Sequence, residues 1–179
     1  NLSEPVSDSI KLDTTKPTGT IKINNDAQYT NSTSVILQLS SADAVQMQFS
    51  SDGATWTPLE AYAVTKNWTL TAGDGEKTVS VKFKDAVGNL SEPVSDSIIL
   101  DTTKPTGTIK INNDAQYTNT TSVTLNLSCS DAVQMQFSND NVTYTTPENY
   151  ATTKSWTLTT GDGTKTVYAK FKDVAGNLS

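Results

Sequence analysis

The 179-residue sequence contains no histidine and no arginine, and its one cysteine is Cys129. Without histidine the chain cannot form a Ser-His-Asp triad, a Cys-His pair or an imidazole metal site. One cysteine allows no disulfide within the chain, so the fold must be held together by its hydrophobic core. Cys129 follows Val123, Leu125 and Leu127 at a spacing of two, and we therefore expect a buried small residue rather than a reactive thiol.

Positive charge is also scarce. The 13 lysines are outnumbered by 19 acidic residues, which gives a formal net charge of −6. This balance does not provide the basic face that recognition of a nucleic-acid backbone requires. No apolar run approaches the ~20 residues that span a bilayer as a helix, and no signal-peptide pattern is present. We therefore expect no nucleic-acid partner and no membrane span in this segment.

What the sequence does contain is a long internal repeat. Residues 1–91 match residues 89–179 at 70 of 91 positions, with a constant offset of 88 residues and no gap. Near-identity between neighbouring copies indicates a recent duplication, and such series usually contain more than two copies. We expect the chain, which begins at Asn1 without methionine, to be a piece of a longer tandem array.

Short stretches of each repeat alternate apolar and polar residues, as half-buried strands do. The positions that we place on strands A, B, C, E, F and G of the first repeat are Ile21, Ile23, Val35, Leu37, Leu39, Val45, Met47, Phe49, Trp68, Leu70, Val79, Val81, Phe83, Ile98 and Leu100. About seven strands per repeat, separated by turn-forming clusters, predict an all-β fold. Specifically, we predict two tandem Ig-like antiparallel β-sandwiches.

Prolines indicate where each domain begins. Pro17 and Pro105 follow the same Asp-Thr-Thr-Lys segment, and a proline there keeps the chain extended at a domain entrance. We predict Ig-like domain 1 at residues 13–100 and Ig-like domain 2 at residues 101–179, called the first and second repeat below. Residues 1–12 then form an orphan G strand of a preceding repeat, and the second repeat ends without its own G strand. The chain is thus cut out of phase with its fold.

Three segments of the first repeat resemble the tandem bacterial Ig-like repeats of large secreted adhesins and surface-layer proteins: Asp13–Thr18, Gly73–Val79 and Phe83–Asn89. The matching segments of the second repeat are 101–106, 161–167 and 171–177. The resemblance implies a non-enzymatic structural repeat of an extracellular stalk, adhesin or filament at the cell surface. It further implies a linear array whose partners are further copies of the same repeat, arranged head-to-tail.

A possible metal site lies at one end of each predicted sandwich, where the start of strand A meets the B–C and F–G loops. The oxygen-bearing residues there are Asp13, Asp43, Asp85 and Asn89 in the first repeat and Asp101, Asp131, Asp173 and Asn177 in the second. Ca²⁺ takes about six to eight oxygen ligands in flexible geometry, so carboxylates that meet at a linker could share one ion. The alternative is that these residues only form turns, in which Asp and Asn bind their own backbone.

No residue set indicates catalysis, because nothing places two aspartates across a cleft with one of them buried. The alternative function is a carbohydrate- or surface-binding module appended to a secreted enzyme. Such a module would use Trp56 and Tyr62, with Tyr144 and Tyr150 in the second repeat, as aromatic faces for sugar rings. The simpler interpretation is that these side chains cover the edge of the sheet.

The missing G strand offers two ways to build an array. A sandwich without strand G exposes the edge of strand F and an apolar groove, and unpaired edges recruit strands. Residues 1–12 differ from residues 89–100 only at Lys11, which replaces Ile99, and could complete the second repeat of another copy by strand addition. In the rival arrangement, which we favour from the sequence, a continuous polypeptide supplies the same strand. Both arrangements give a linear array of complete domains.

Overall fold

The alternating pattern produces strands with one buried face, since successive side chains point to opposite sides of a strand. The computed structural model describes residues 3–179, which contain fourteen strands and no helix. The strands of the first repeat are β1 (Gly19–Ile23), β2 (Tyr29–Thr30), β3 (Ser34–Ser41), β4 (Gln46–Ser50), β5 (Glu60–Ala61), β6 (Thr65–Thr69), β7 (Gly75–Lys84) and β8 (Val94–Leu100). Those of the second are β9 (Gly107–Ile111), β10 (Ser122–Cys129), β11 (Gln134–Ser138), β12 (Glu148–Asn149), β13 (Thr153–Thr157) and β14 (Tyr168–Lys172).

Each repeat has two sheets. One has the order β1-β3-β6 in the first repeat and β9-β10-β13 in the second, with antiparallel pairing throughout. The other has the order β2-β8-β7-β4-β5 in the first repeat but only β14-β11-β12 in the second. The predicted all-β sandwich fold is confirmed. Residues 3–179 include no helix that is both long and apolar enough to cross a membrane.

Both cores consist of the inward residues of the two sheets. In the first repeat Leu37 from β3 packs with Met47, Phe49 and Phe83 from the facing sheet, and all four side chains are almost fully buried. The equivalent core of the second repeat has Leu125, Met135, Phe137 and Phe171. The prediction that Val45 lies on a strand with its side chain inward is wrong. The residue precedes β4, and its side chain is 47% exposed. Its backbone is held there by bonds to Lys84 and Tyr62, which end the regular alternation.

Close packing between sheets requires glycine at the start of β1 and β9. A Cβ atom on Gly19 would lie against the ring of Phe83 and 2.5 Å from the carbonyl oxygen of Ser40. Gly107 is in the same position relative to Phe171 and Ser128. The first strand of each sandwich can therefore approach its neighbours only without a side chain.

The chain divides into two compact units. The first extends to Ile98, and the second runs from Ile99 to Ser179 and includes the short segments 29–33 and 72–75. Because this division falls within β8, the predicted limits at residues 100 and 101 stay a prediction. Of the predicted orphan strand, residues 3–12 are exposed and belong to no strand, and residues 1 and 2 lie outside the described residues.

Candidate functional site

The loop after β7 is closed by the aspartate at its start. Asp85 Oδ1 accepts hydrogen bonds from the N–H groups of Val87, Gly88 and Asn89 at 3.0, 2.8 and 2.8 Å. Its Oδ2 accepts one from Asn89 Nδ2 at 2.8 Å, and that amide also donates to the carbonyl oxygen of Asp13 at 3.1 Å. Burial raises the pKa of the Asp85 carboxyl, but the bonds from Asn89, Gly88 and Val87 outweigh it and hold the pKa below its ordinary value.

The second repeat forms the same turn. Asp173 Oδ1 accepts hydrogen bonds from the N–H groups of Gly176 and Asn177, both at 2.8 Å. Asn177 Nδ2 donates to Asp173 Oδ2 at 2.9 Å and to the carbonyl oxygen of Asp101 at 2.8 Å. Three of the four positions predicted to meet in each repeat do meet, and there they join the start of the domain to the loop after β7 or β14.

The fourth position of each set lies on the loop before β4 or β11. Asp43 and Asp131 are exposed, and Asp131 Oδ1 accepts hydrogen bonds from Cys129 Sγ at 3.5 Å and Ser130 Oγ at 3.4 Å. Within residues 3–179 no group of three acidic, histidine or cysteine side chains is arranged to hold a metal ion. Calcium binding at the eight residues stays a prediction, and a melting curve that EDTA leaves unchanged would remove it.

Two of the four aromatic candidates belong to the interior. Tyr62 packs edge-on against Phe83, with ring centroids 6.1 Å apart, and its hydroxyl accepts a hydrogen bond from the Ser41 N–H at 3.0 Å. Tyr150 is placed in the same way, with its hydroxyl 2.9 Å from the Cys129 nitrogen. These tyrosines connect the segment after β5 or β12 to strand β3 or β10.

The other two aromatic candidates lie on the surface beneath lysines. Lys82 Nζ is 4.4 Å from the centroid of the Trp56 ring, and Lys170 Nζ is 4.2 Å from that of Tyr144. Both rings are partly exposed. A lysine over an aromatic face makes a cation–π contact and occupies the face on which a sugar ring would stack.

Cys129 is buried as expected, with 8% of its surface exposed. Burial raises the pKa of its thiol, and its Sγ lies near the Asp131 carboxylate. A thiol in this setting is a poor nucleophile, because the thiolate is the reactive form.

Strand β8 closes the sandwich of the first repeat. Ile98 is 1% exposed and belongs to the core of the first repeat, and Val94 packs against that core. The strand lies between β7 and β2 in its sheet, with Tyr29 opposite Ile99 in a parallel pairing. Val94 and Ile98 therefore extend the core along this edge.

No strand among the described residues takes that place in the second repeat, where β14 is the edge of its sheet. A cavity of about 670 Å³ opens there, bordered by Ile111, Tyr117, Leu158 and Lys165 among others. Tyr117 is 84% exposed, whereas the matching Tyr29 is partly buried. The described residues thus leave this side of β14 unpaired, and the absence of a G strand from the second repeat stays a prediction.

Sequence reasoning missed two kinds of polar contact, one between distant strands and one between residues six positions apart. Asp96 Oδ2 accepts a hydrogen bond from the Ile23 N–H at 2.6 Å, which ties β8 to β1. Lys66 and Glu60 form a half-buried ion pair at 2.6 Å, and Lys154 and Glu148 repeat it at 2.6 Å. The only signal for the ion pair is that both partners are unchanged between the repeats.

No protein-family description matches the sequence, and no curated protein matches it. The chain aligns with a tetra-tandem repeat in the extending region of a large adhesion protein at 17% identity, a TM-score of 0.34, and coverage of 90% of this chain and 47% of that one. It also aligns with a two-domain fibronectin type III segment of chicken tenascin at 13% identity, a TM-score of 0.35, and coverage of 92% and 95%. Scores this low do not establish a shared fold.

A stronger likeness is to the fibronectin(III)-like modules of CbhA from Clostridium thermocellum. The alignment covers 89% of this chain and 89% of that chain, with 16% sequence identity and a TM-score of 0.54. At this identity the likeness concerns the fold alone. The chain is built of all-β modules with the two-sheet fold that fibronectin III-like and Ig-like domains share.

Proposed function

We propose that the chain is a non-enzymatic structural segment in which tandem β-sandwich repeats act as spacers of an extracellular stalk, adhesin or filament. The single observation that carries the proposal is the close agreement of the two repeats in sequence and in internal contacts. Repetition without a gap over 88 residues lengthens a molecule by a constant step. A spacer needs that property and needs no reactive site.

The contacts that recur between the repeats are those that stabilise a sandwich. The turn of Asp85 and Asn89 returns at Asp173 and Asn177. The Tyr62 hydroxyl bond, the Lys66–Glu60 ion pair and the packing of Gly19 against Phe83 also return in the second repeat. The 21 sequence differences between the repeats leave these contacts in place. This supports a spacer role, because such a role depends on the fold rather than on a reactive site.

The linear arrangement is tested by the size of longer arrays. Chains of two, four and six repeats are expected to increase in maximum dimension by a constant step of about 35–40 Å per repeat, the length of strands of 8–10 residues with their end loops. Small-angle X-ray scattering measures this dimension. A maximum dimension that grows only with the cube root of chain length would contradict a linear array.

The extracellular assignment is supported by the resemblance to repeats of secreted adhesins and surface-layer proteins. An antibody against the chain should label intact cells of the source organism, and a protease added outside should remove the signal. Labelling that requires cell lysis would overturn this part of the proposal without affecting the spacer role.

The carbohydrate-binding alternative has less support, because Lys82 and Lys170 each cover one face of Trp56 and Tyr144, the two candidate rings that are not part of the interior. It is tested by titrating soluble oligosaccharides while tryptophan fluorescence is recorded, with Trp56→Ala as the matched variant. A saturable change that this variant abolishes would favour the alternative over the spacer role.

A further inference from the structure

We infer that the ion pairs Lys66–Glu60 and Lys154–Glu148 prevent the edge strands β6 and β13 from pairing with another copy of the repeat. The contact that they prevent is β-strand addition between molecules or between neighbouring repeats. The inference goes beyond the spacer role, since it concerns how near-identical repeats avoid wrong pairing and not how they lengthen a molecule.

Each ion pair lies between two strand edges. Strand β6 is the last strand of the sheet β1-β3-β6, and β5 is the last strand of the facing sheet, so each has one side without a partner strand among the described residues. Lys66 on β6 and Glu60 on β5 meet between these edges, with Nζ and Oε2 2.6 Å apart. Lys154 on β13 and Glu148 on β12 meet in the same way in the second repeat, also at 2.6 Å. We call the space between the two edges the seam of each repeat.

The free side of β6 offers backbone groups to a further strand. The Leu39 N–H donates to the Val64 carbonyl oxygen at 2.8 Å, which continues the register of β3 and β6. Bonded pairs alternate in an antiparallel ladder, so Lys66 bonds to β3, whereas Thr65 and Asn67 direct their N–H and C=O groups away from it. Unpaired groups of this kind are a template for a strand of another chain.

Lys66 directs its charge into the seam rather than to the outer face of its sheet. It alternates with the exposed Thr65 and Asn67, and its Nζ lies 5.9 Å from the centroid of the Phe49 ring, which belongs to the core. The side chains of Lys66 and Glu60 keep 33% and 36% of their surface exposed. Because both charged groups lie in the seam, it is there that they contact water.

A strand added to β6 would enter the seam and cover the ion pair. It would remove the remaining water from two charges, which is unfavourable unless every charged oxygen and N–H group has a hydrogen-bond partner. Glu60 Oε1 is already buried and accepts no hydrogen bond from the described residues, and the same is true of Glu148 Oε1. Inward charges at these edges therefore oppose pairing.

The ion pairs are poorly suited to stabilising the fold itself. A buried ion pair often contributes no more than well-packed apolar side chains of the same size, and a carboxylate oxygen without a partner lowers its contribution further. Both pairs are nevertheless unchanged between the repeats, although five of the ten positions from 58 to 67 differ from positions 146 to 155. Protection of the edges explains this, because repeats that match at 70 of 91 positions could exchange strands.

The test replaces both charges of one pair together, because removal of one partner would leave the other charge unpaired. The edge variant is Glu60→Leu with Lys66→Met. Its matched control is Glu92→Leu with Lys16→Met, which removes an ion pair near the start of β8 whose side chains are 81% and 59% exposed. Both variants keep the net charge and add the same two apolar side chains, and the control leaves them more exposed.

The first experiment is urea denaturation of the 179-residue chain. The edge variant is expected to unfold at the same urea concentration as the original chain or at a higher one, because apolar side chains replace an incompletely bonded ion pair. Glu60→Gln with Lys66→Gln is a second variant, which removes the charges and keeps polar side chains of similar length. A midpoint lowered in both variants overturns the inference, since the pair would then stabilise the fold.

The second experiment is sedimentation velocity after refolding from urea, over a range of chain concentrations. The edge variant is expected to form oligomers at a concentration at least about tenfold lower than the original chain does, because pairing no longer buries two charges. The control should associate like the original chain. An edge variant that associates no more than the original chain overturns the inference, and so does a control that associates as strongly as the edge variant.

The third experiment is amide hydrogen exchange, which identifies the paired edge. The amide of Asn67 should exchange rapidly in the original chain and be protected in oligomers of the edge variant, since its N–H faces away from β3. Addition of Asn67→Pro to the edge variant should restore the association of the original chain, because proline removes this N–H without breaking a bond to β3. Oligomers that leave Asn67 unprotected, or that persist with the proline, overturn the inference. The size series of longer arrays tests the spacer role separately.

Discussion

Single residues of this chain act mainly by holding turns and strand ends. Asp85 and Asp173 use both carboxylate oxygens to organise the loops that follow them. Asp140 does the same for the turn after β11, where the N–H groups of Thr143 and Val142 and the Ser138 hydroxyl lower the pKa of its carboxyl to about 2. Asp85 and Asp173, two of the candidate calcium ligands, thus accept hydrogen bonds from backbone donors, and calcium binding there stays a prediction.

Asp85→Asn should lower the melting temperature of the first repeat by several degrees at pH 7. The amide has one acceptor oxygen in place of two, and its nitrogen would face the donating Nδ2 of Asn89. Because the pKa of Asp85 is depressed in the folded state, its contribution is present above the unfolded pKa near ~3.9 and is lost as pH falls through the folded value.

Melting curves of the original chain and Asp85→Asn between pH 7 and pH 2 measure this effect. The difference between them should shrink below about pH 4. Asp43→Asn, at an exposed position, is the control and should match the original chain throughout. A difference that stays constant down to pH 2 would show that the charge of Asp85 does not matter.

Gly19→Ala should destabilise the first repeat by about 1–3 kcal/mol, because the added methyl group would overlap the Phe83 ring and the Ser40 carbonyl oxygen. Urea denaturation gives the free energy of unfolding. Thr20→Ala, at the exposed neighbouring position, should change it by no more than about 0.5 kcal/mol. Equal effects of the two substitutions would contradict the close approach.

Strands β7 and β14 occupy matching positions of the two repeats and have similar sequences, but they differ in length. Strand β7 extends over ten residues, Gly75–Lys84, whereas β14 has five, Tyr168–Lys172. Residues 163–167, which match the first half of β7, belong to no strand. Since β8 is the neighbour of β7 and no described strand takes that side of β14, the extra length of β7 depends on pairing rather than on local sequence.

The rate of amide hydrogen exchange should differ between two copies of the same tripeptide. The segments Lys77–Val79 and Lys165–Val167 have identical sequences and therefore nearly equal intrinsic exchange rates. In dilute solution the amides of Lys165–Val167 should exchange at least about tenfold faster, because they lie outside a ladder. Equal protection at the two sites, measured by NMR, would contradict the difference in strand length.

On the scale of the whole described chain, residues 3–179, the two repeats are unequal although their cores are alike. Ile98 of β8 is 1% exposed and belongs to the core of the first repeat, against which Val94 also packs. Burial of one such side chain contributes about 1.5–3 kcal/mol. The described part of the second repeat has no counterpart of these residues.

The second repeat should therefore unfold first. In dilute solution, urea denaturation is expected to show two transitions, and the thiol of Cys129 should become reactive in the earlier one, because it is buried in the second repeat. Fluorescence of Trp56 and Trp68, both in the first repeat, should report the later transition after Trp156→Phe removes the signal of the second repeat. Thiol labelling that coincides with this tryptophan transition would contradict the order.

The period-two alternation and the 88-residue repeat were sufficient to predict the fold class, the burial of Cys129 and the main strands of the first repeat, although not the short strands β2 and β5. These follow from local patterns, because a strand with one buried face must alternate and a duplicated sequence folds in the same way twice. Val45 is an exception: its side chain continues the alternation in the sequence, but backbone bonds to Lys84 and Tyr62 leave it at the surface.

Contacts between residues that are distant in the chain could not be predicted from these local patterns. The sequence brings Asp13, Asp85 and Asn89 to one end of a sandwich, but whether their oxygens are open to a cation or accept hydrogen bonds depends on the loop geometry. The same holds for Tyr62, whose hydroxyl meets the Ser41 N–H only after the sheets pack. Such partners are set by packing in three dimensions, since hydrogen bonds form wherever the folded backbone leaves a buried donor or acceptor.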